Sequence, residues 1–157
     1  SVDRFGTPEE IFSGEYITEL YEISAGSYDP VFGVSELQAV DGPPQVFVIG
    51  GGGSGVPVYR RLQRQGVPFA AGILHENDLD HPVAAALASR LISERPYQPI
   101  GQAAFQEALA VMERCGHALC CVSAFGPLNE KNRLLAEAAQ ARGILEDSTW
   151  DPRASVL

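Results

Sequence analysis

The stretch QVFVIGGGGSG, residues 45–55, decides the fold class of this chain. An apolar run ends in the glycine loop, residues 50–55, where Gly50, Gly52 and Gly55 match the spacing G-x-G-x-x-G. The loop stands between a predicted strand and a predicted helix, where a dinucleotide-binding turn belongs. Glycine tolerates positive φ and lets backbone N–H groups approach an anion, and the following helix adds the positive end of its dipole. The stretch predicts a phosphate-binding turn, with a tight turn that binds nothing as the alternative.

Composition and charge narrow the class of protein. Of the 157 residues, 45% are hydrophobic and 20% are charged, which is typical of a globular domain with a core of its own. The formal net charge of −9 argues against a nucleic-acid partner, which needs a basic surface. No apolar run approaches the ~20 residues of a membrane span, so we expect a cytoplasmic protein. The only lysine is Lys131, and the glycine loop is therefore not the GK-containing loop of an ATP hydrolase.

Strand-like and helix-like segments alternate after the glycine loop. The predicted strands are residues 46–49, 69–74, 91–93 and 118–125. The predicted helices are residues 55–65 ended by Gly66, a helix capped by Asp78 or Asp80, residues 102–114 and residues 128–142. Such alternation is typical of a parallel sheet covered on both faces. We predict an α/β fold, a Rossmann-like three-layer α/β/α arrangement with a mainly parallel sheet of four or five strands, preceded by short N-terminal helices.

Four regions are expected along the chain. We predict short helices in residues 1–24, because TPEE at residues 7–10 has an N-cap threonine, a proline at the first helical position and a glutamate that closes a capping box. Residues 25–44 are rich in Gly, Pro, Ser and Asp and read as a linker, with an edge strand at residues 34–40. Residues 45–147 form the Rossmann-like domain, and residues 148–157 read as a loose tail.

Ligands of a parallel sheet meet the carboxyl ends of its strands, so the segments that leave the strands supply the candidate site. The predicted ligand-binding residues are Gly50, Gly51, Gly52, Gly53, Ser54, Gly55, His75, Glu76, Asn77, Ser123 and Asn129. Asn129 has a helix cap as its alternative role. The cofactor stays unidentified, and a nucleotide or a dinucleotide fits the loop best.

The segment HENDLDH, residues 75–81, suggests a metal site as a second interpretation. Its residues His75, Asp78 or Asp80, and His81 are of the types that ligate zinc, iron or manganese. A solvated polar loop that caps a helix is the commoner arrangement, so they remain weak metal candidates.

The sequence offers no catalytic set. It has no G-x-S-x-G elbow, and its three histidines do not pair with a nucleophile in a known pattern. The three cysteines, Cys115, Cys120 and Cys121, lack zinc spacing and are expected to be buried free thiols. We therefore assign no catalytic residue.

The segment DRFGTPEEIFSGEYITELYEI, residues 3–23, resembles the end of the ATP-binding subunit of ABC importers of the cobalamin and ferric-siderophore type. In that family, G-T-P-E-E opens the last helices of the ATPase domain. The stretches GSYDPVFGVSEL, VFVIGGGGSGVPVYRRLQRQGVPFAAGILHENDLDHPVA and ISERPYQPI resemble a C-terminal extension that some members carry. Walker A, the LSGGQ signature and Walker B do not occur here, so no ATPase residue is carried over.

The resemblance implies an accessory or regulatory C-terminal domain of an importer ATPase that is not itself an ATPase. Its implied partners are the ATPase domain of the same polypeptide and, through it, the membrane permease subunits at the inner face of the membrane. It would bind a small anionic or nucleotide-like ligand at the glycine loop, and a homodimer is expected because ABC ATPases work in pairs. A ligand-free dimerisation module and a small cofactor- or metal-dependent enzyme are the alternatives.

Overall fold

In a computed structural model, residues 38–147 and 149–152 are described. Apart from Gln38 they belong to one compact unit, which begins at Ala39. The helices predicted within residues 1–24 lie outside the described residues, as does most of the predicted linker. Residues 38–40, the described end of the predicted edge strand, are not in a strand.

Strands and helices alternate along the described residues. In chain order they are β1 Val46–Ile49, α1 Val56–Arg64, β2 Phe69–His75, α2 His81–Leu87, β3 Arg90–Glu94, α3 Gln102–Arg114, β4 His117–Cys120 and α4 Glu130–Ala141. None of these helices of the described range is long and apolar enough to cross a membrane. The predicted alternation is confirmed, and α1 ends at the predicted place, where Gly66 adopts φ +73°.

The strands form one four-stranded sheet in the order β3-β2-β1-β4. Every neighbouring pair is parallel, and Val46 at the start of β1 aligns with Phe69 on one side and His117 on the other. Ala118 also forms an isolated parallel bridge to Leu145. Strands β2 and β3 are added one after the other on one side of β1, whereas β4 lies on the other side of β1. The direction in which successive strands are added to the sheet therefore reverses between β1 and β4.

Helices cover both faces of the sheet, which confirms the three-layer prediction. Phe47 and Ile49 belong to a core cluster with residues of α3 and α4. Val46 and Val48 belong to a second cluster with residues of α1 and α2. Successive strand side chains point to opposite faces, so the apolar run of β1 is buried on both sides.

The fourth strand is shorter than predicted. The apolar run of residues 118–125 predicted one long strand, whereas β4 ends at Cys120. Its neighbour β1 ends at Ile49, which aligns with Cys120 and accepts a hydrogen bond from the Cys121 N–H at 2.8 Å. Beyond that point β1 turns into the glycine loop, so residues 121–125 lose the ladder partner that a strand needs.

A buried asparagine ties α4 to the middle of β2. The pairing of β2 with β3 is irregular between Ala71 and Leu74, which leaves the backbone of Ile73 without its regular ladder partners. Asn132 accepts from the Ile73 N–H at 3.1 Å and donates to the Ile73 carbonyl at 3.0 Å. Asn132 is only 2% exposed, so these bonds satisfy four buried polar groups at once.

Replacing Asn132 by leucine should destabilise the fold. The change leaves the buried N–H and carbonyl of Ile73 unpaired, which costs about 2–4 kcal/mol in the free energy of unfolding. Urea unfolding of Asn132→Leu measures this cost, and Asn77→Leu, at an exposed asparagine, is the matched control with a change below about 0.5 kcal/mol. Equal losses in the two variants would contradict the role of Asn132.

Candidate functional site

A cleft lies at the carboxyl edge of the sheet, beside the point where the strand order reverses. Its volume is about 400 Å³, and its walls come from the glycine loop, the end of β2 and the exit of β4. Ligands of open parallel sheets bind at this kind of position. Of the predicted site residues, those that line the cleft are Gly50, Gly51, Gly52, Ser54, His75, Ser123 and Asn129.

The glycine loop has the conformation that only glycine adopts readily. The φ angles of Gly51, Gly52 and Gly53 are +146°, +67° and +94°. The Ser54 hydroxyl donates to the Gly51 carbonyl at 2.6 Å and closes the turn. Positive φ at these three positions explains why glycine is required there.

Two carboxylates of the protein itself occupy the N–H groups of this loop. The buried Oδ2 of Asp80 accepts from the Gly51 N–H at 2.5 Å and from the Gly55 N–H at 3.0 Å. Asp78 accepts from the Gly52 N–H, at 2.9 Å to Oδ1 and 3.1 Å to Oδ2. Both belong to the acidic loop, residues 76–80, which connects β2 to α2. The donors expected to face a ligand's phosphate are thus satisfied by intramolecular anions.

Asp80 has a different role from the predicted helix cap. It stands at the N-cap position of α2, but its side chain makes no capping hydrogen bond. The side chain is fully buried against the glycine loop instead, and burial raises the pKa of its carboxyl above the ordinary value of 3.8. Its Oδ1 and the nearby Tyr59 hydroxyl are buried and lack hydrogen-bond partners within the described residues.

The weak metal candidates do not converge. His75 Nε2 lies 2.7 Å from the Gln98 carbonyl, and His81 Nε2 lies 3.0 Å from the Ser93 hydroxyl. Asp78 is bound to the glycine loop. Within residues 38–147 and 149–152, no group of three or more His, Cys, Asp or Glu side chains is arranged to hold a metal ion.

Four predicted ligand residues lie outside the lining of the cleft. Glu76 and Asn77 are exposed at the start of the acidic loop. Gly53 and Gly55 belong to the glycine loop but do not line the cleft. Gly55 is needed for packing, because an added Cβ would lie 2.6 Å from the Tyr59 hydroxyl and 2.8 Å from Asp80 Oδ2.

The exit of β4 supplies the opposite wall. Asn129 does not cap α4 through its side chain. Its Oδ1 accepts from the Gly126 N–H at 2.7 Å and its Nδ2 donates to the Ala124 carbonyl at 3.3 Å, so it holds the exit segment in shape. Ser123 lies on this segment and is exposed at the cleft.

The ionisable groups that line the cleft are His75, Asp78 and Cys121. All three cysteines are free thiols, as expected, although Cys120 and Cys121 are only partly buried. Burial raises the pKa of the Cys121 thiol to about 11, so it stays protonated near neutral pH and is a poor nucleophile.

Sequence reasoning missed the connection between the two loops. It noted Asp78 and Asp80 only as metal candidates or helix caps, and it did not single out Asn132, which also lines the cleft. One signal was present: β1 and β2 are successive parallel strands, so their exit loops meet at one edge. Carboxylates in the second loop then stand close to free N–H groups in the first.

Gly55→Ala should lower stability without touching the cleft surface. The new methyl group would collide with Tyr59 and Asp80, and we expect a loss of about 1–3 kcal/mol in the free energy of unfolding. Gly116→Ala is the control, because an added Cβ there meets open space and no positive φ. Thermal or urea unfolding compares the two, and equal stability of both variants would contradict the packing role of Gly55.

The stability of an Asp80→Asn variant should depend on pH differently from that of the wild type. The raised pKa means that the folded chain binds this proton more tightly than the unfolded chain. The carboxyl's contribution to stability therefore falls as pH rises from about 4 through the folded-state pKa. We expect the free energy of unfolding of the variant minus that of the wild type to rise over this interval and then level off. Urea unfolding at several pH values measures it, and a constant difference would contradict a raised pKa.

Comparison with known proteins places the chain in a family. The MJ0874 family matches residues 69–154, which is more than half of the chain. The match begins at the first residue of β2, so it includes Asp78, Asp80 and the exit of β4, whereas the glycine loop precedes it. A comparison with the curated proteins gives no match. The chain belongs to the MJ0874 family.

Proposed function

We propose that this protein is a regulatory ligand-binding domain whose ligand occupies the cleft between the glycine loop and the exit of β4. The observation that supports this most is the position of the cleft, at the reversal of strand order, with a glycine loop on one wall. Open parallel sheets bind small molecules at this position.

The ligand in this proposal is small and anionic or nucleotide-like. Backbone N–H groups of the glycine loop and the N-terminus of α1 favour an anionic group. The cleft lining contains no lysine or arginine. The N–H groups of Gly51, Gly52 and Gly55 already bind Asp78 and Asp80, so an anionic group of the ligand has to compete with a carboxylate for these donors. The Ser123 hydroxyl on the opposite wall can hydrogen-bond the rest of the ligand.

The wider role follows from the resemblance of residues 3–23 to importer ATPases. We propose that the domain is part of such an ATPase, of the iron-siderophore or cobalamin type, at the inner face of the membrane. The ligand would act by binding one arrangement of the domain and the ATPase more tightly than another, since only a difference in affinity shifts an equilibrium. The segment that carries this resemblance lies outside the described residues, and the role rests on its sequence.

An assembly module is the second candidate function, and one observation favours it. The exposed large hydrophobic side chains of the described residues are Leu79, Tyr97 and Leu128, with exposed fractions of 72%, 81% and 43%. Each lies in a connection that follows a strand, so all three are at the carboxyl edge. Exposed apolar side chains in these connections are available to contact a protein partner, including a second copy of the chain. Sedimentation that shows a monomer at high concentration would rule out the homodimer.

Ligand titration of two matched glycine variants tests the proposed function. Gly52 and Gly66 adopt nearly the same φ, +67° and +73°, and an added Cβ meets open space at both. Alanine at either position should therefore lower the free energy of unfolding by a similar ~1–2 kcal/mol, because of backbone strain. Only Gly52 lines the cleft, so only Gly52→Ala should weaken ligand binding, by about tenfold or more.

The titration uses the 157-residue chain and a panel of nucleotides, dinucleotides, corrinoids and siderophore fragments. Binding of one compound to the wild type and to Gly66→Ala, with loss in Gly52→Ala, supports the proposal. If no compound binds the wild type, or if both variants lose affinity equally, the cleft is not the ligand site and the assembly module becomes the better account.

A further inference from the structure

The two carboxylates on the glycine loop are not equivalent. Asp80 is fully buried, does not line the cleft and holds the base of the loop through Gly51 and Gly55. Asp78 is only half-buried, lines the cleft and contacts Gly52 near the middle of the loop. One carboxylate is thus a fixed part of the fold, and the other is accessible from the cleft.

The Asp78 carboxylate occupies the position at Gly52 that the anionic group of a ligand would occupy. Its carboxylate accepts a hydrogen bond from the N–H of Gly52, which is the second glycine of the G-x-G-x-x-G pattern. The added Cβ of Gly52 would have no atom within 4 Å, so the loop is open on that side. An anionic group that reached Gly52 would meet the charge of Asp78, because no lysine or arginine of the cleft lining offsets that charge.

We propose that Asp78 is an internal competitor for the ligand's anionic group, and that a phosphate or diphosphate binds at Gly52 by displacing this carboxylate. This competition rests on the proposed function, because it takes place at the same site. Asp80 keeps its bonds to Gly51 and Gly55 during the exchange, so the base of the loop is retained. At the Gly52 N–H, the ligand then exchanges one hydrogen-bonded anion for another.

The displacement would change the surface of the protein beside the cleft. Asp78 Oδ1 also accepts from the Asp80 N–H at 2.8 Å, so release of Asp78 loosens the acidic loop just before α2. Leu79, which is 72% exposed, lies between these two aspartates. Ligand binding is thereby linked to the position of an exposed apolar side chain, which gives the domain two states that a partner protein can distinguish.

Pyrophosphate titration of three forms of the 157-residue chain tests this inference. The forms are the wild type, Asp78→Asn and Glu76→Gln, which removes one negative charge from the same loop at an exposed position outside the cleft. Removing the facing charge of Asp78 should strengthen pyrophosphate binding by about tenfold. Glu76→Gln should change the dissociation constant less than about twofold, because an exposed charge is screened by solvent.

Amide NMR spectra of the same samples supply a second measurement. In the wild type, pyrophosphate should shift the amide signals of Gly52 and Leu79 together and leave those of Gly51 and Gly55 nearly unchanged. Thermal melts confirm that each variant is folded at the temperature of the titration.

The outcomes separate this inference from the proposed function. Equal pyrophosphate affinity in the wild type and Asp78→Asn overturns the competitor role, even if Gly52→Ala abolishes ligand binding and so supports the cleft. If no form binds pyrophosphate, the competitor role is likewise overturned, and the proposed function is decided by the ligand panel. Tighter binding in Asp78→Asn alone supports the inference.

Discussion

The buried carboxylate of Asp80 is the interaction on which the site depends. Its two hydrogen bonds join the glycine loop, which ends at the N-cap residue of α1, to the N-cap position of α2, across 25 and 29 residues of chain. A carboxylate taken out of water is costly unless donors bind it, and the glycine loop supplies two donors to its Oδ2. The loop needs glycine for two reasons. Gly51, Gly52 and Gly53 adopt positive φ, and at Gly50 and Gly55 a Cβ would collide with Tyr59 and Asp80.

The cleft follows from this anchor together with the sheet topology. The reversal of strand order leaves a gap beside β1, and Asp80 fixes one wall of the gap. Asn132 fixes the floor, because it satisfies the backbone of Ile73 where the pairing of β2 and β3 is irregular. Asn129 shapes the opposite wall. Three polar side chains therefore hold the cleft, while the apolar residues of the strands hold the layers.

The layers could be predicted from the sequence, because a strand buried on both faces reads as a continuous apolar run and each helix has a repeating apolar face. The end of β4 could not, since the run of residues 118–125 does not reveal where β1 stops pairing. The role of Asp80 was also hidden, because its local position predicts a cap while its donors lie far away in the chain. Asn132 looks in the sequence like any polar residue of a helix, and only the irregular backbone of β2 explains it.

A crystal structure of the 157-residue chain with pyrophosphate would show directly whether the anion displaces Asp78 from Gly52. We expect an anion within hydrogen-bonding distance of the Gly52 N–H, with the Asp78 side chain turned away and Asp80 still bound to Gly51 and Gly55. A structure in which Asp78 keeps its bond to Gly52 while the anion binds elsewhere on the protein would contradict it.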